Sequence, residues 1–408
     1  TNAAGEQVED QLQIALTIVD PTNGYVVAMI GGAGEKVVDR GWNWAVNARQ
    51  CGSAIKPVST YAPALDDGTI NGASVIDDYP MLLNGEVWPR NANWRYQGLT
   101  ALHTAIAQSL NTCAVRTNLA YGVSNSYDFL VNKLGFENLT YTDSQQVGNM
   151  ALGGFEKGVT TEEMSAAYAA FVNEGVYTKP RTFIRVEDAN GNVVLENEAQ
   201  STVAMKNTTA AIINHLLQEA ALNGTGYEAQ FSGMHIAGKT GSTNSNKDRY
   251  FVGYTPYYSC AVWAGYEHNQ RIVASGNPCS AVFRKVMSAI HEDLPDKDFF
   301  SCSGLTSVAV CADSGMLASE NCALDVRGSR VYTALVAADN APTAVCTMHT
   351  APTYTVNMAD SDGNVTTVTG SVLNYQRELI EGHDEVVVED AFMMLGGWNG
   401  FFGDEADD

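Results

Sequence analysis

The 408-residue chain is 45% hydrophobic and only 17% charged, an ordinary globular composition that excludes a disordered or fibrous protein. Its net charge of −23 argues against a phosphate-backbone binder, which needs clustered Lys and Arg, so no nucleic-acid partner is expected. No apolar run of about 18 residues and no signal-peptide pattern occurs, so the chain as given reads as soluble, as an excised extracellular portion would.

In chain order, residues 13–19 alternate apolar side chains, Asp20-Pro21-Thr22-Asn23-Gly24 supplies turn chemistry, and residues 25–30 are apolar again. This predicts a β-hairpin. A helix is predicted over residues 53–65, with Pro57 tolerated in its first turn. Residues 100–119 read as helical with an interruption around Ser109, and residues 127–134 as a further helix. Thr160 and Glu163 form a capping box for a helix ending near Gly175, and Gly224 stops another over residues 207–222. Strand character returns at residues 251–254 and 259–265, and residues 281–292 read as a closing helix. Strand pair, helices, strand pair predicts an α/β unit with a mainly antiparallel sheet.

Residues 299–408 hold sixteen Asp and Glu against three Arg and no Lys. This break in composition places a boundary near residue 299. Short β-like runs at residues 306–310, 331–337, 354–358 and 365–368 predict a small β-rich appendage. The expected domains are a linker over 1–11, a catalytic domain over 12–298 and an acidic appendage over 299–408, read as a structural spacer.

Three short strings carry the chemistry. Ser53-Ala54-Ile55-Lys56 puts a hydroxyl and an amine three residues apart on a helix, so that Lys56 can take the Ser53 proton once burial and a neighbouring cation such as Lys239 favour its neutral form. Ser109-Leu110-Asn111, at the helical break, offers a hydroxyl to relay a proton and an amide to hold Lys56 and a substrate carbonyl. Lys239-Thr240-Gly241-Ser242 reads as a β-edge whose glycine admits another backbone. There Lys239, Thr240 and Ser242, with Thr243 beside them, would bind a terminal carboxylate, and the backbone N–H groups of Ser53 and Ser242 would form an oxyanion hole.

The same lysine string also ends a G-x-x-x-x-G-K-[ST] pattern running from Gly233 to Thr240, the phosphate loop of nucleotide hydrolases. Its context disagrees, because Gly241-Ser242-Thr243-Asn244 does not open a helix. Judged against C-x-x-C pairs and zinc-finger spacing, the eight cysteines suggest no metal site, and no cofactor is expected. Spacing leaves disulfides and buried thiols both open. Of possible bridges, those among Cys302, Cys311, Cys322 and Cys346 are favoured, since a small appendage has little core, and Cys260 with Cys279 is a weaker pair.

The three strings, in this order, are the motif set of penicillin-binding proteins and class A β-lactamases. Flanking strings extend the match: Val19-Asp20-Pro21, Arg49-Gln50-Cys51-Gly52-Ser53, Ala151-Leu152-Gly153-Gly154, Gly224-Thr225-Gly226 and Phe251-Val252-Gly253-Tyr254-Thr255-Pro256. Residues 12–295 thus resemble the transpeptidase domain of class A, bifunctional penicillin-binding proteins. The resemblance implies a penicillin-binding-protein/β-lactamase-like fold with a helical subdomain, and a serine D,D-transpeptidase in which Ser53 attacks a D-Ala-D-Ala stem peptide of peptidoglycan and passes the acyl group to an amine. It implies β-lactams as acylating inhibitors and a place at the extracellular face of the bacterial cytoplasmic membrane. Family members commonly carry Pro where this chain has Cys51, and often Pro near Cys113, so a Cys51–Cys113 bridge is one expectation and two independent thiols the other. Three further functions remain: a non-catalytic β-lactam sensor, a D,D-carboxypeptidase, and a β-lactamase. The last would need a deacylating base, and the string Glu219-Ala220-Ala221-Leu222-Asn223, which ends sixteen residues before Lys239, sits too near it in sequence to belong to a separate loop.

Overall fold

A computed structural model describes residues 11–35, 41–359, 364–375 and 377, so the linker expected over 1–11 lies, except for Gln11, outside the described residues. The chain divides into two compact units. The first comprises Thr1–Ile70, Ile106–Ser109 and Ala114–Gly304, and the second Asn71–Ala105, Leu110–Cys113 and Leu305–Asp408.

In the first unit a five-stranded antiparallel sheet runs in the order Ala237–Ser242, Asp248–Tyr254, Ser259–Gly265, Gln13–Val19, Val26–Ile30. The expected hairpins are present, and the two ends of the unit meet where Ile14 pairs with Ala264 and Val19 with Ser259. Strand alternation sends Leu16 and Ile18 to one face, where they pack with Phe251, Val262 and, from the helix Pro278–Ile290, Phe283 and Met287. Thr17 faces the other way and meets Thr161 at 2.9 Å. That second face is covered by the helix Thr161–Val172, opened by the Thr160–Glu163 capping box and tied by Ser165 Oγ donating to the Ser259 carbonyl. A sheet buried on both faces gives the site strand a rigid base.

The second unit is built from antiparallel pairs: Val75–Asp78 with Gly98–Ala101, Leu305–Cys311 with Val331–Ala337, and His349–Ala359 with Val365–Leu373. Residues 71–105 thus group with the C-terminal part, across the boundary that composition suggested. The cause is local contact: Ala73 packs among Val310, Ala334 and Val336, and a Cβ on Gly72 would lie 1.9 Å from the Leu335 carbonyl oxygen. The helical reading of 100–119 is corrected too. Gly98–Ala101 is a strand paired to Val75–Asp78, and helices follow at Leu102–Ala107 and Asn111–Tyr121. An apolar run of four residues suits either state, and the pairing decides it.

No disulfide joins any of the eight cysteines, so neither the Cys51–Cys113 bridge nor the Cys260–Cys279 pair nor any bridge among Cys302, Cys311, Cys322 and Cys346 forms. Cys51, Cys260 and Cys279 are fully buried, and burial pushes their thiols far up, away from ionisation. Among the described residues no helix is long and apolar enough to cross a membrane.

Candidate active site

Ser53 and Lys56 lie at the start of a helix that changes its winding twice. Gly52–Ile55 is a 3₁₀ turn, Pro57–Tyr61 a π-helical turn, and Ala62–Asp66 α-helical. Three residues per turn makes positions i and i+3 eclipse, so the 3₁₀ winding stacks residue 56 over residue 53 more closely than an α-helix would. The turn is tied down by the buried Tyr168 hydroxyl, which donates to the Ala54 carbonyl at 2.6 Å.

Lys56 has no solvent exposure, and its Nζ donates to the Ser109 carbonyl oxygen at 2.7 Å, with Ser109 Oγ at 3.4 Å. Ser109 reaches this position because it interrupts two helices in a left-handed conformation, φ 60°, uncommon for a residue with a Cβ. The break takes its carbonyl out of the helical ladder and leaves it for the lysine. Sparsely populated backbone of this kind is a hallmark of sites held by their surroundings.

Lys239 comes from the opposite wall. Its strand, Ala237–Ser242, is the edge of the sheet, so one side of its backbone is free of sheet partners. Lys239 is fully buried, and burial pushes its ammonium down to about 7; Nζ donates to the Thr240 carbonyl at 3.2 Å. Thr240 Oγ1 donates to Thr225 Oγ1 at 2.8 Å, Ser242 Oγ accepts from Arg249 at 2.9 Å, and Thr243 Oγ1 accepts from the Asp248 backbone N–H at 2.9 Å. The strand presses on the nucleophile turn: a Cβ on Gly241 would stand 2.1 Å from the Cys51 carbonyl oxygen and 2.9 Å from the Ala54 Cβ. From the other side, Gly52, at φ 54°, would collide through a Cβ with the Ser242 carbonyl at 2.3 Å. Two absent side chains therefore let the backbones around Ser53 and Ser242 touch, as an oxyanion hole shared between them requires.

Ser53, Lys56, Ser109, Lys239, Thr240, Gly241, Ser242 and Thr243 thus all belong to the first unit. Asn111 belongs to the second. It opens its helix with its backbone N–H donating to Asn91 Oδ1 at 2.8 Å and its amide donating to the Arg90 carbonyl at 2.7 Å. Asn91 donates in turn to Asp78 at 2.8 Å, which also accepts from Thr112 and whose carboxyl is raised by burial.

The nucleotide-loop pattern fails in the structure as its context suggested, because Lys239 lies within a β-strand and only the short turn Asn244–Asn246 follows. Glu219 sits in the last turn of the helix Asn207–Leu222 and accepts from Asn223 at 3.0 Å.

Sequence reasoning missed the anchor behind the nucleophile. The Arg49 side chain pairs with Asp248 at 2.9 Å, donates to Asn269 at 2.6 Å, and lies 5.4 and 5.0 Å from the Trp44 and Trp263 ring centres. Its backbone exchanges hydrogen bonds with Val159 at 2.9 Å in both directions. Apart from Trp44, these partners lie 110 residues and more away, and nothing near Arg49 in sequence announces them.

Comparison with known proteins agrees with this geometry. The model of the penicillin-binding protein transpeptidase domain matches residues 14–288, and that of the penicillin-binding protein 1A C-terminal domain matches residues 301–351. The chain is 35% identical to penicillin-binding protein 1A of Clostridium perfringens over 89% of its own length and 45% of that protein's, and 35% identical to penicillin-binding protein 1A of Clostridium novyi over 84% and 40%. It therefore spans less than half the length of these relatives. Among solved structures, penicillin-binding protein 1A from Haemophilus influenzae matches with a TM-score of 0.69 at 23% identity, covering 84% of this chain and 56% of that one. The PonA1 protein from Mycobacterium tuberculosis, in complex with penicillin V, matches with a TM-score of 0.62 at 24% identity, covering 73% and 83%. These likenesses extend the fold, and the family models together with the clostridial relatives settle the lineage: the chain belongs to the penicillin-binding protein transpeptidase family, with a penicillin-binding protein 1A C-terminal domain following its transpeptidase domain.

Proposed function

We propose that this chain is the D,D-transpeptidase portion of a peptidoglycan synthase, with Ser53 as nucleophile, working at the extracellular face of the bacterial cytoplasmic membrane. The observation that carries the reading is the buried Lys56 amine, whose Nζ is held on Ser109, one helical turn from Ser53.

In this mechanism an extended stem peptide adds to the free edge of the Ala237–Ser242 strand, its terminal carboxylate taken by Lys239 and Thr240. Neutral Lys56 accepts the Ser53 proton as Oγ attacks the penultimate D-Ala carbonyl, and the Ser53 and Ser242 backbone N–H groups hold the oxyanion. Collapse of the tetrahedral intermediate expels the terminal D-Ala, whose amine takes the proton through Ser109 Oγ. An acceptor amine then attacks the acyl-enzyme, gives its proton back along the same path, and frees Ser53. A β-lactam enters by the first half of this sequence and stops there as a stable acyl-enzyme. Close contact of the lysine strand with the nucleophile turn supports this division of labour.

Labelled penicillin tests the assignment. The protein is expected to take up one label per chain, slowly released, and Ser53→Ala to take up none; labelling that survives in Ser53→Ala removes Ser53 from the mechanism. Hydrolysis of penicillin within seconds would make the protein a β-lactamase, and acylation without turnover of a stem peptide plus amine would make it a sensor.

A further inference from the structure

A second constellation lies in the second unit, away from the chemistry above. Cys311, Cys322, Cys346 and His349 are buried, and their three Sγ atoms and one imidazole nitrogen all lie within 4.8 Å of one another. His349 Nδ1 is 3.5 Å from Cys311 Sγ and 3.6 Å from Cys346 Sγ. We infer that these four residues form a structural zinc site.

The distances carry the inference. A tetrahedral Zn²⁺ with bonds of about 2.3 Å to sulfur and about 2.0–2.1 Å to nitrogen sets each N···S pair about 3.5–3.6 Å apart. Nδ1 has a single in-plane lone pair, which one thiol can donate to but two cannot share well. A metal at the centre satisfies all four groups at once.

The surroundings fit a ligand set in this protonation state. His349 Nε2 faces Asp325 at 3.0 Å and Asp313 at 3.2 Å, as ion-pair contacts aligned with neither oxygen well enough for a full hydrogen bond. Two carboxylates, acceptors only, beside Nε2 favour the tautomer with the ring N–H there, which leaves Nδ1 to the metal, as in the carboxylate–histidine–metal arrangement of zinc proteins. Both carboxylates are held in turn: Asp313 by Arg327 at 2.7 Å and Arg330 at 2.9 Å, Asp325 by Arg327 at 2.9 Å. With guanidinium groups already on them, the carboxylates are outer partners and the thiols the ligands. Backbone N–H groups of Asp313 and Ser319 point at Cys311 Sγ and Cys322 Sγ, each at 3.4 Å, as thiolates prefer. Binding releases the three thiol protons to solvent and leaves Zn(Cys)₃His with one net negative charge, close to the arginine pair.

The sites come from separate pieces of chain. Cys311 ends the strand Leu305–Cys311, Cys322 lies in the helical turn Glu320–Ala323, and Cys346-Thr347-Met348-His349 leads into the strand His349–Ala359. The ion joins three elements beside an apolar cluster that, among the described residues, is small: Ala73, Val310, Ala334 and Val336, with Val308, Tyr332 and Ala341 packed against it. A core that small gains most from such a clamp.

The test uses the whole chain, purified reduced from zinc-supplemented culture. Elemental analysis is expected to find one zinc per chain, released when a mercurial modifies the thiols. Cobalt exchanged for zinc is expected to give the strong visible bands of a tetrahedral, sulfur-rich site, a readout that needs no variant to fold. Asp325→Asn, which keeps all four ligands, is expected to weaken zinc binding about 10–100-fold, and Cys346→Ser to abolish the cobalt spectrum. Reduced protein that binds no zinc against a competing chelator overturns the site, as does a disulfide joining any two of Cys311, Cys322 and Cys346 in peptide maps of the protein as purified.

Discussion

The two units bury charge in opposite ways. In the second, Asp313, Asp325, Arg327 and Arg330 are packed out of water but pair with one another at 2.7–2.9 Å. Burial works to raise both carboxyls there, and the His349 and arginine contacts overcome it and hold them below the usual carboxylate range. In the first unit Lys239 is equally buried, and burial alone moves it, from 10.5 down to about 7. The paired carboxylates and guanidinium groups stay charged through neutrality and serve as architecture. Burial alone brings Lys239 toward neutrality, which fits the carboxylate-binding role proposed for it.

The sharpest way to break this comparison is Lys56→Met, which keeps length and bulk but removes the base. Acylation of Ser53 by labelled penicillin is expected to slow by about 10²–10⁴-fold, the span of a general base. The fold should survive, since an apolar side chain of similar volume replaces a buried polar group whose desolvation is costly. Unchanged acylation would mean that another group takes the Ser53 proton.

Lys239→Met sharpens the comparison through pH. The unfolded chain holds the Lys239 proton up to about 10.4, while the folded protein gives it up near 7. Between those values the unfolded state binds more protons, so stability rises with pH, and below about 7 the folded state carries the whole burden of a buried charge. That burden amounts to roughly 5 kcal/mol at most. Lys239→Met is therefore expected to be a few kcal/mol more stable than the parent below pH 7, with the gap closing as pH rises toward 10. Binding of a carboxylate-bearing stem peptide should fall above pH 7 in the parent and be lost at all pH values in the variant. Denaturant unfolding and peptide binding at pH 6, 7.5 and 9 measure both; a gap that does not shrink with pH removes the shift.

Much of this contrast could be read before the fold was known, and the unreadable part has a common cause. Ser53 and Lys56 announce themselves because their relation is one helical turn, and the helix Asn207–Leu222 and the Thr160 capping box follow from equally local rules. Gly241 could be read as a close approach, but not what approaches, since Cys51 lies 190 residues earlier. The same holds for Arg49 with Asp248 and for the thiol cluster. Cys346 and His349 show C-x-x-H spacing, yet Cys311 and Cys322 fall 35 and 24 residues before Cys346, outside any zinc-finger repeat, and only strand pairing brings them in. Interactions within about four residues are encoded by spacing; those closed by tertiary packing are encoded by the whole fold.

The smallest test asks whether a neutral group also helps to set the nucleophile turn, beside the Arg49–Asp248 anchor behind it. Tyr168 packs edge-on to Phe171 and Tyr254, and its hydroxyl is the donor to the Ala54 carbonyl, inside the 3₁₀ turn. Tyr168→Phe keeps the ring and leaves that buried carbonyl short of a donor, which costs about 1–3 kcal/mol. For a domain of this size about 1 kcal/mol lowers Tm by roughly 2–4 °C. If the hydrogen bond holds the winding that eclipses Ser53 and Lys56, acylation should slow several-fold at temperatures well below the transition, while bound zinc in the second unit stays unchanged. A lowered Tm with unchanged acylation would instead mean that Gly241 and Gly52, through the strand pressed between them, hold the turn without help from the tyrosine.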